Sequence, residues 1–289
     1  MPSLSFSAPT SVDEAVKVLA GAPGLAKVLA GGTDLLVQLR SGRMKPEVIV
    51  DTKRIPGMIG IREEANQFVI GASTPGAVVF EHKALTQAWP GIVEGLDLIG
   101  SEQIQGRASL AGNLCNASPA ADSVPALIAA GAVATLAGPQ GRRDLPVEDV
   151  MLGPRKLALR KGEIVVSFLL PPRAPRSSDA YLRFIPRTEM DIAVVGAGVS
   201  LTLDGSGTIS AARVSLGAVA ARVLLVAEAA QAVIGSRLDE AAQRRLEAAA
   251  RAVCRPIDDK RGTIEFRTDV AAVLTRRAAL IALDRARTS

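Results

Sequence analysis

Apolar positions recur along the chain with two different spacings, and each spacing predicts one kind of secondary structure. Apolar residues three and four positions apart predict helices over residues 12–21, 34–40, 74–88, 91–99, 125–130, 221–234, 239–254 and 269–287. Short apolar runs between turn-forming residues predict strands at 27–30, 48–51, 58–61, 67–70, 132–136, 164–170, 180–185, 192–203 and 208–217. The polar stretch 62–66 is predicted to be a hairpin turn, and Ser11 and Glu14 have the spacing of a capping box.

The order of these elements predicts an α+β protein with two domains. Helices and strands are mixed before residue 172, whereas three antiparallel strands followed by helices come after it. The Pro-, Arg- and Ser-rich segment 173–178 separates the two parts. We therefore expect a domain of residues 1–172, with subdomains of approximately 1–57 and 58–172, and a C-terminal domain of residues 178–289 with a three-stranded sheet and a helical bundle.

Two runs of small residues interrupt the apolar pattern. The first, AGGTD at 30–34, joins a predicted strand to a predicted helix, and the unpaired amides at such a helix start suit a phosphate. The second, SLAGNLCNASPAAD at 109–122, has few bulky side chains, and Gly112 allows a ligand to approach its main chain. For the second run, an ordinary surface loop and a binding surface for an extended polar ligand both remain open.

Composition narrows the class of protein. The chain has 289 residues, 48% of them apolar and 3% aromatic, which allows a large buried core. Its net charge of +5 comes from scattered basic residues, so solvated surfaces explain it better than nucleic-acid binding. The N-terminus lacks a signal-peptide pattern, and the longest apolar run is too short to span a bilayer. We expect a cytoplasmic protein with no nucleic-acid partner and no membrane insertion.

Residues that commonly carry catalysis are scarce. Cys115 and Cys254 are too few for a disulfide framework or an iron–sulfur cluster, and His82, the single histidine, cannot build a metal site alone. No nucleophile–base pair stands out, so we predict no catalytic residue and no metal ligand in this chain. Gly196 and Gly198 resemble half of a dinucleotide fingerprint, but they lie in a predicted strand. If the chain is enzymatic, a bound cofactor supplies the reactivity.

Four motifs resemble those of one protein family. They are AGGTDLL at 30–36, the run 109–122, RFIPRTEMDIA at 183–193, and RPIDDKRG at 255–262 with its following EFR. In this order and spacing they are similar to the FAD-binding medium subunits of xanthine dehydrogenase-type molybdenum hydroxylases, which include carbon monoxide dehydrogenase and the quinoline- and nicotine-type dehydrogenases. The resemblance covers nearly the whole chain and implies a two-part FAD-binding domain of the vanillyl-alcohol-oxidase/PCMH type.

The resemblance also implies a set of FAD contacts. The first glycine turn would bind the pyrophosphate, the second run would bind the pyrophosphate and flavin, Ile99 would face the flavin, and the loop 188–191 would approach it. Asp122 would contact the ribose or adenine side. The implied contacts are Val28, Leu29, Ala30, Gly31, Gly32, Thr33, Asp34, Leu35, Ile99, Ser109, Ala111, Gly112, Asn113, Cys115, Asp122, Val165 and Arg183.

The implied function is that of an electron-transfer subunit. A large partner would carry the molybdenum cofactor, a small partner would carry two [2Fe–2S] clusters, and FAD in this chain would pass electrons to an external acceptor, in a complex expected to be a dimer of heterotrimers. Neither the substrate nor the acceptor follows from the sequence.

Two residues differ from the family pattern, and two alternative functions remain possible from the sequence. Ala111 stands where relatives usually have glycine, and Ser109 replaces a commoner threonine. Cys115 is either a small filler beside the flavin or a thiol that tunes it. The rivals are a stand-alone oxidase with FAD linked to His82, and a non-catalytic assembly subunit whose FAD site has decayed at Ala111.

Overall fold

The computed structural model describes residues 4–188 and 190–289; Met1, Pro2, Ser3 and Glu189 lie outside the described residues. The described strands are β1 Ser5–Ser7, β2 Ala26–Leu29, β3 Val48–Asp51, β4 Ile61–Glu64, β5 Gln67–Gly71, β6 Val133–Gly138, β7 Gly141–Pro146, β8 Met151–Gly153, β9 Lys156–Leu157, β10 Ile164–Leu170, β11 Ser177–Phe184, β12 Val195–Leu203, β13 Ile209–Gly217 and β14 Leu224–Leu225. The described helices are α1 Val12–Gly21, α2 Leu35–Arg40, α3 Gly76–Glu81, α4 Lys83–Ala88, α5 Pro90–Asp97, α6 Glu102–Gln105, α7 Leu110–Cys115, α8 Ser123–Ala129, α9 Val147–Val150, α10 Ala227–Gln231, α11 Glu240–Val253 and α12 Ile264–Thr288.

The α+β class is confirmed, and each main sheet belongs to one stretch of the chain. We call these stretches the N-terminal segment (residues 4–57), the middle segment (58–172) and the C-terminal segment (177–289). Their sheets have the strand orders β1-β3-β2, β4-β5-β10-β6-β7 and β11-β12-β13-β14, and β8 and β9 form a separate ribbon.

The N-terminal segment is a small parallel sheet covered by α1. The capping box at the start of α1 forms with one change: Ser11 Oγ accepts from the N–H of Glu14 at 3.2 Å, but the Glu14 carboxylate accepts from Thr10 N–H at 2.9 Å. Leu29 at the end of β2 lies beside Asp51 at the end of β3. The turns that follow these two parallel strands therefore emerge at the same edge of the sheet.

The middle segment is a five-stranded antiparallel sheet packed against short helices. Its central strand, β10, is the last of the five in sequence and pairs with β5 on one side and β6 on the other. The predicted hairpin is present, because β4 and β5 pair antiparallel, but its turn is shorter than the predicted 62–66: the polar residues 62–64 belong to edge strand β4. The turn consists of Ala65 and Asn66 alone, with φ of 50° and 62°, and polar side chains suit an exposed edge strand.

The C-terminal segment carries one strand more than the three predicted. The predicted helix 221–234 instead begins with β14, which pairs with β13, and α10 follows it as a short helix. The long helix α12 begins at Ile264, five residues before the predicted start, where Thr263 Oγ1 accepts from the N–H of Phe266 at 3.2 Å. Alanines on its buried face lie against β11 and β12.

The middle and C-terminal segments meet through close backbone packing and buried charges. A Cβ added to Gly198 on β12 would lie 2.6 Å from the carbonyl oxygen of Pro125, so α8 lies directly on the sheet. Arg173, in the connection between the two segments, bonds Asp179 of the C-terminal segment at 3.0 Å and stacks 4.0 Å above the ring of Trp89 in the middle segment. These side chains are largely withdrawn from water.

Across residues 4–188 and 190–289, no helix has both the length and the apolar character needed to cross a membrane.

Candidate functional site

A cleft of about 250 Å³ separates the N-terminal segment from the middle segment. Both small-residue runs face it, together with apolar residues from β10 and from the stretch after α5. The predicted FAD contacts that line the cleft are Val28, Ala30, Gly31, Gly32, Thr33, Asp34, Leu35, Ile99, Ser109, Ala111, Gly112, Asn113, Cys115 and Val165. Residues separated by more than 130 positions in sequence therefore share one surface.

At Gly31 the first run touches the backbone of Arg107, two residues before the second run begins. A Cβ added there would lie 1.8 Å from the carbonyl oxygen of Arg107 and 2.5 Å from its carbonyl carbon. Gly32 has φ of +82°, a left-handed conformation that favours glycine. Each glycine of the first run is thus required by a separate feature of the turn.

Backbone amides facing the cleft lack partners. In the described part of the chain, the N–H groups of residues 31–34 donate to no backbone or side-chain acceptor. The N–H of Ala111, which lines the cleft in the first turn of α7, likewise donates to no acceptor among the described residues. Free N–H groups clustered in a turn and at a helix start form a binding surface for an anion.

Lys53 fixes the shape of the first turn. It follows β3 and donates from Nζ to the carbonyl oxygen of Ala30 at 2.9 Å, while Asp51 holds the same ammonium at 2.7 Å. In a trans peptide the carbonyl and the next N–H point in opposite directions. The contact therefore turns the N–H of Gly31 away from Lys53.

Much of the second run is helical rather than a loop. Ser109 caps α7, with its Oγ accepting from the N–H of Gly112 at 3.2 Å. Ala111 sits in the helix with ordinary backbone angles, so the alanine introduces no strain. A Cβ added to Gly112 would meet only Ser109 Oγ, at 3.2 Å. The protein itself leaves open the space in front of Gly112.

Cys115 adds a neutral thiol to the same wall. Burial raises the pKa of the Cys115 thiol to about 12, although nearby Lys27 opposes the shift. The thiol is therefore protonated at neutral pH, which favours a filler over a reactive thiolate.

The cleft has one polar side and one apolar side. Free amides and the Thr33 hydroxyl form the first, while Ile99, Met58, Ile164 and Val165 contribute to the second. Such a surface suits a ligand that carries both phosphates and a flat apolar ring system. The residues present therefore fit FAD.

Three predicted contacts lie outside the cleft lining. Leu29 is part of β2, and its side chain lies beneath Gly32. Asp122 and Arg183 bond each other at 2.9 Å, and Tyr181 donates from its hydroxyl to Asp122 at 3.0 Å. Burial raises the pKa of Asp122 to about 6, while Arg183 and Tyr181 oppose the shift. This charged pair joins the middle and C-terminal segments.

Other residues that line the cleft are not among the contacts predicted from the sequence motifs. Gln38 donates to Asn116 Oδ1 at 3.0 Å across the cleft, and Thr52 and Ser73 share a buried hydrogen bond of 2.8 Å. Gln38 lies one helical turn after Asp34, a spacing that marks one helix face and that could have found it. The remaining lining residues are Ala26, Lys27, Met44, Met58, Ala72, Ala108, Leu157, Leu159, Glu163 and Ile164.

His82, Thr188, Met190 and Asp191 do not line the cleft. The His82 Nδ1 accepts from the N–H of Leu85 at 3.2 Å, so the ring caps α4. In the loop 188–191, Glu189 lies outside the described residues, Thr188 and Met190 are exposed, and Asp191 bonds Arg187 at 3.0 Å. Among the described residues no cluster of His, Cys, Asp or Glu could hold a metal ion.

Two family models match the chain. The model described as the FAD binding domain in molybdopterin dehydrogenase matches residues 2–173. The model described as the CO dehydrogenase flavoprotein C-terminal domain matches residues 180–282.

Individual proteins resemble the chain over almost its full length. The carbon monoxide dehydrogenase medium chain of Hydrogenophaga pseudoflava is 32% identical over 277 residues, which are 96% of each chain. The 6-hydroxypseudooxynicotine dehydrogenase complex subunit alpha of Paenarthrobacter nicotinovorans is 30% identical, covering 99% of this chain and 96% of that one. The structure of reconstituted CO dehydrogenase from Oligotropha carboxidovorans superposes with a TM-score of 0.94 at 32% identity, over 99% of both chains. Quinoline 2-oxidoreductase from Pseudomonas putida 86 gives a TM-score of 0.89 at 27% identity, over 99% of this chain and 98% of that one.

Proposed function

The chain belongs to the family of FAD-binding medium subunits of molybdenum hydroxylase-type dehydrogenases, and on that premise we propose that it holds one FAD in the cleft as the electron-transfer flavoprotein of a larger complex. The resemblance carried by the four sequence motifs is confirmed. The chain is thus an oxidoreductase subunit.

One observation carries the proposal: unpaired amides from two sequence-distant runs face the same cleft beside an apolar wall. The N–H groups of 31–34 would bind the pyrophosphate, and Thr33 would add its hydroxyl. Gly112 leaves the space into which the ligand would enter. Ile99, Cys115 and Val165 would lie near the flavin ring, where small and aliphatic side chains exclude water without adding charge.

Bound FAD would supply the redox chemistry, accepting electrons from a partner's iron–sulfur clusters and releasing them to an external acceptor. The chain's residues would bind and orient it and leave one ring face accessible. No side chain has to move a proton, which agrees with the neutral Cys115 and with the absence of a nucleophile–base pair among the residues predicted from sequence. The predicted contacts Leu29, Asp122 and Arg183 would act indirectly, by supporting the turn and the segment contact.

Partners follow from the names of the relatives, which are medium chains or subunits of complexes. We propose a large molybdenum-binding subunit and a small subunit with two [2Fe–2S] clusters, assembled as a dimer of heterotrimers.

The test is purification of the tagged chain from its own cells under native conditions. We expect a yellow complex with a flavin absorption spectrum, flavin in the supernatant after acid precipitation, and molybdenum and iron in the co-purified partners. A colourless chain that takes up no added FAD would contradict the binding proposal. Flavin with no molybdenum or iron partner would contradict the assembly and favour a stand-alone flavoprotein.

A further inference from the structure

A buried serine holds one polar residue of the cleft. Ser123 begins α8, is fully buried, and donates to Asn113 Oδ1 from its backbone N–H at 3.2 Å and from its hydroxyl at 2.8 Å. A backbone N–H can only donate, so the Asn113 atom that faces it is the oxygen, and the amide nitrogen Nδ2 faces elsewhere. Two converging donors thus fix both the position and the orientation of the Asn113 amide.

The Nδ2 group of Asn113 is available to a ligand. Asn113 lines the cleft, and its Nδ2 donates to no acceptor in residues 4–188 and 190–289. Without the Ser123 hydroxyl, only the backbone N–H of residue 123 holds Asn113 Oδ1, so one donor instead of two positions the side-chain amide and Nδ2 is directed less firmly at an acceptor oxygen of the ligand. The orientation that Ser123 imposes is the one that suits a ligand rich in phosphate and hydroxyl oxygens.

We infer that Ser123 is a positioning residue for the cofactor: it acts through Asn113 and keeps Nδ2 directed at an acceptor oxygen of FAD. The inference rests on the proposed binding of FAD in the cleft. Ser123 itself does not line the cleft, and it belongs to none of the predicted contacts.

The same serine connects the cleft to the C-terminal segment. Its neighbour Asp122 is held by Arg183 at 2.9 Å and by the Tyr181 hydroxyl at 3.0 Å, both on β11. The start of α8 is therefore fixed by the segment contact and in turn fixes Asn113. Displacement of the C-terminal segment would weaken FAD binding although that segment supplies no cleft-lining residue in the described structure.

A double-mutant cycle on the full chain tests this inference. Loss of one hydrogen bond weakens binding about threefold to tenfold. We expect Ser123→Ala to raise the FAD dissociation constant by about that factor and Asn113→Ala to raise it at least as much. If Ser123 acts through Asn113, the double variant binds FAD no more weakly than Asn113→Ala alone. The visible circular dichroism of the bound flavin should also change in Ser123→Ala.

Ser215→Ala is the matched control, because Ser215 is also fully buried, does not line the cleft, and has a hydroxyl with no partner among the described residues. It should leave both the affinity and the flavin spectrum unchanged. Effects of Ser123→Ala and Asn113→Ala that multiply, or a Ser123→Ala variant with wild-type affinity, would overturn the inference while FAD binding stands. A wild-type chain that binds no FAD would overturn the proposed function and this inference with it.

Discussion

The middle segment contacts its two neighbours in different ways. Towards the C-terminal segment, charged side chains are buried in pairs, as with Arg173 and Asp179, and α8 packs directly on the sheet at Gly198. Towards the N-terminal segment, the backbones touch at Gly31, but the surrounding amides remain unpaired and the surfaces diverge into a cleft. The first contact is held by charge pairs and close packing, although isolated buried atoms there, such as Trp89 Nε1 and Asp179 Oδ2, have no partner in the described structure. At the second contact the unpaired groups are clustered backbone donors that line an open cleft, and such donors suit a ligand.

The variant with the largest expected effect alters Gly31, where the backbones of the N-terminal and middle segments touch. Gly31→Ala places a Cβ 1.8 Å from the Arg107 carbonyl oxygen, a backbone atom that cannot rotate away. We expect a loss of about 3 kcal/mol or more in the free energy of unfolding, together with loss of FAD. Urea unfolding and flavin content measure the two effects. Gly21→Ala is the control, since no atom lies within 4 Å of its added Cβ. Wild-type stability in Gly31→Ala would show that the backbones of Gly31 and Arg107 do not touch.

The second prediction separates the two contacts. Arg173→Met removes the partner of Asp179, whose side chain is only 2% exposed, and leaves a buried carboxylate uncompensated. We expect a loss of about 3 kcal/mol in the free energy of unfolding, with the FAD affinity of the folded protein within about twofold of the wild type. The control is Arg244→Met, which breaks an exposed pair with Glu240 and should cost about 0.5 kcal/mol or less. Destabilisation below that of the control would refute a structural role for the buried pair.

The third prediction concerns a variant with the opposite pattern, a large loss of FAD affinity with little change in stability. Gly112→Ala should leave stability unchanged or raise it by up to about 1 kcal/mol, because alanine favours a helix and meets only the Ser109 hydroxyl. The added methyl group should nevertheless weaken FAD binding by about tenfold or more, a change of about 1.4 kcal/mol, because it fills the space of the ligand. Isothermal titration and thermal unfolding separate the two effects. Wild-type FAD affinity in this variant would show that the ligand does not approach Gly112.

The smallest effect is a pH dependence of the buried contact. Burial raises the pKa of Asp179 to about 6, and the pKa of Asp122 is raised likewise. The folded chain then binds more protons than the unfolded chain between about pH 4 and about pH 6, so stability falls as pH rises through this interval. We expect the free energy of unfolding, measured by urea denaturation, to fall by about 1 to 2 kcal/mol across this interval. Asp179→Asn should reduce this pH dependence of the free energy of unfolding by about half. Stability that rises with pH in this range would contradict the raised pKa values.

The sequence predicted the residues that line the cleft more accurately than the bounds of the strands and helices around it. The runs at 30–34 and 109–122 are recognisable because glycine and short polar side chains are unusual beside apolar strands. The bounds of the turn 62–66 and the start of the helix 221–234 are wrong, because local periodicity does not reveal which strands pair with each other. Ile164–Leu170 was predicted with its observed bounds, since a buried strand reads as a continuous apolar run between turns.

Within the site, local patterns identified backbone donors but not the residues that orient them. Lys53 and Gln38 act on residues 23 and 78 positions away, and Ser123 acts on a residue ten positions away from the start of a different helix. Each looks ordinary in its own segment. The pairing of Asp122 with Arg183 likewise depends on how two segments dock. Such contacts follow from tertiary packing, which a single sequence without covarying relatives does not expose.

The position of β10 has a consequence for the order in which this chain is synthesised and loaded. Strand β10 is central in the middle sheet yet is the last of its strands to be made, and it contributes Val165 to the cleft. When residues 30–34 and 109–122 have both been synthesised, the nascent chain still lacks β10. It therefore lacks the Val165 side of the cleft and the strand that pairs with both β5 and β6. Ribosomes that add about 5 to 20 residues per second leave this interval open for seconds. With FAD bound in the cleft as proposed, stable capture must wait until residue 170 has emerged, even though the run at 30–34 emerges well before it.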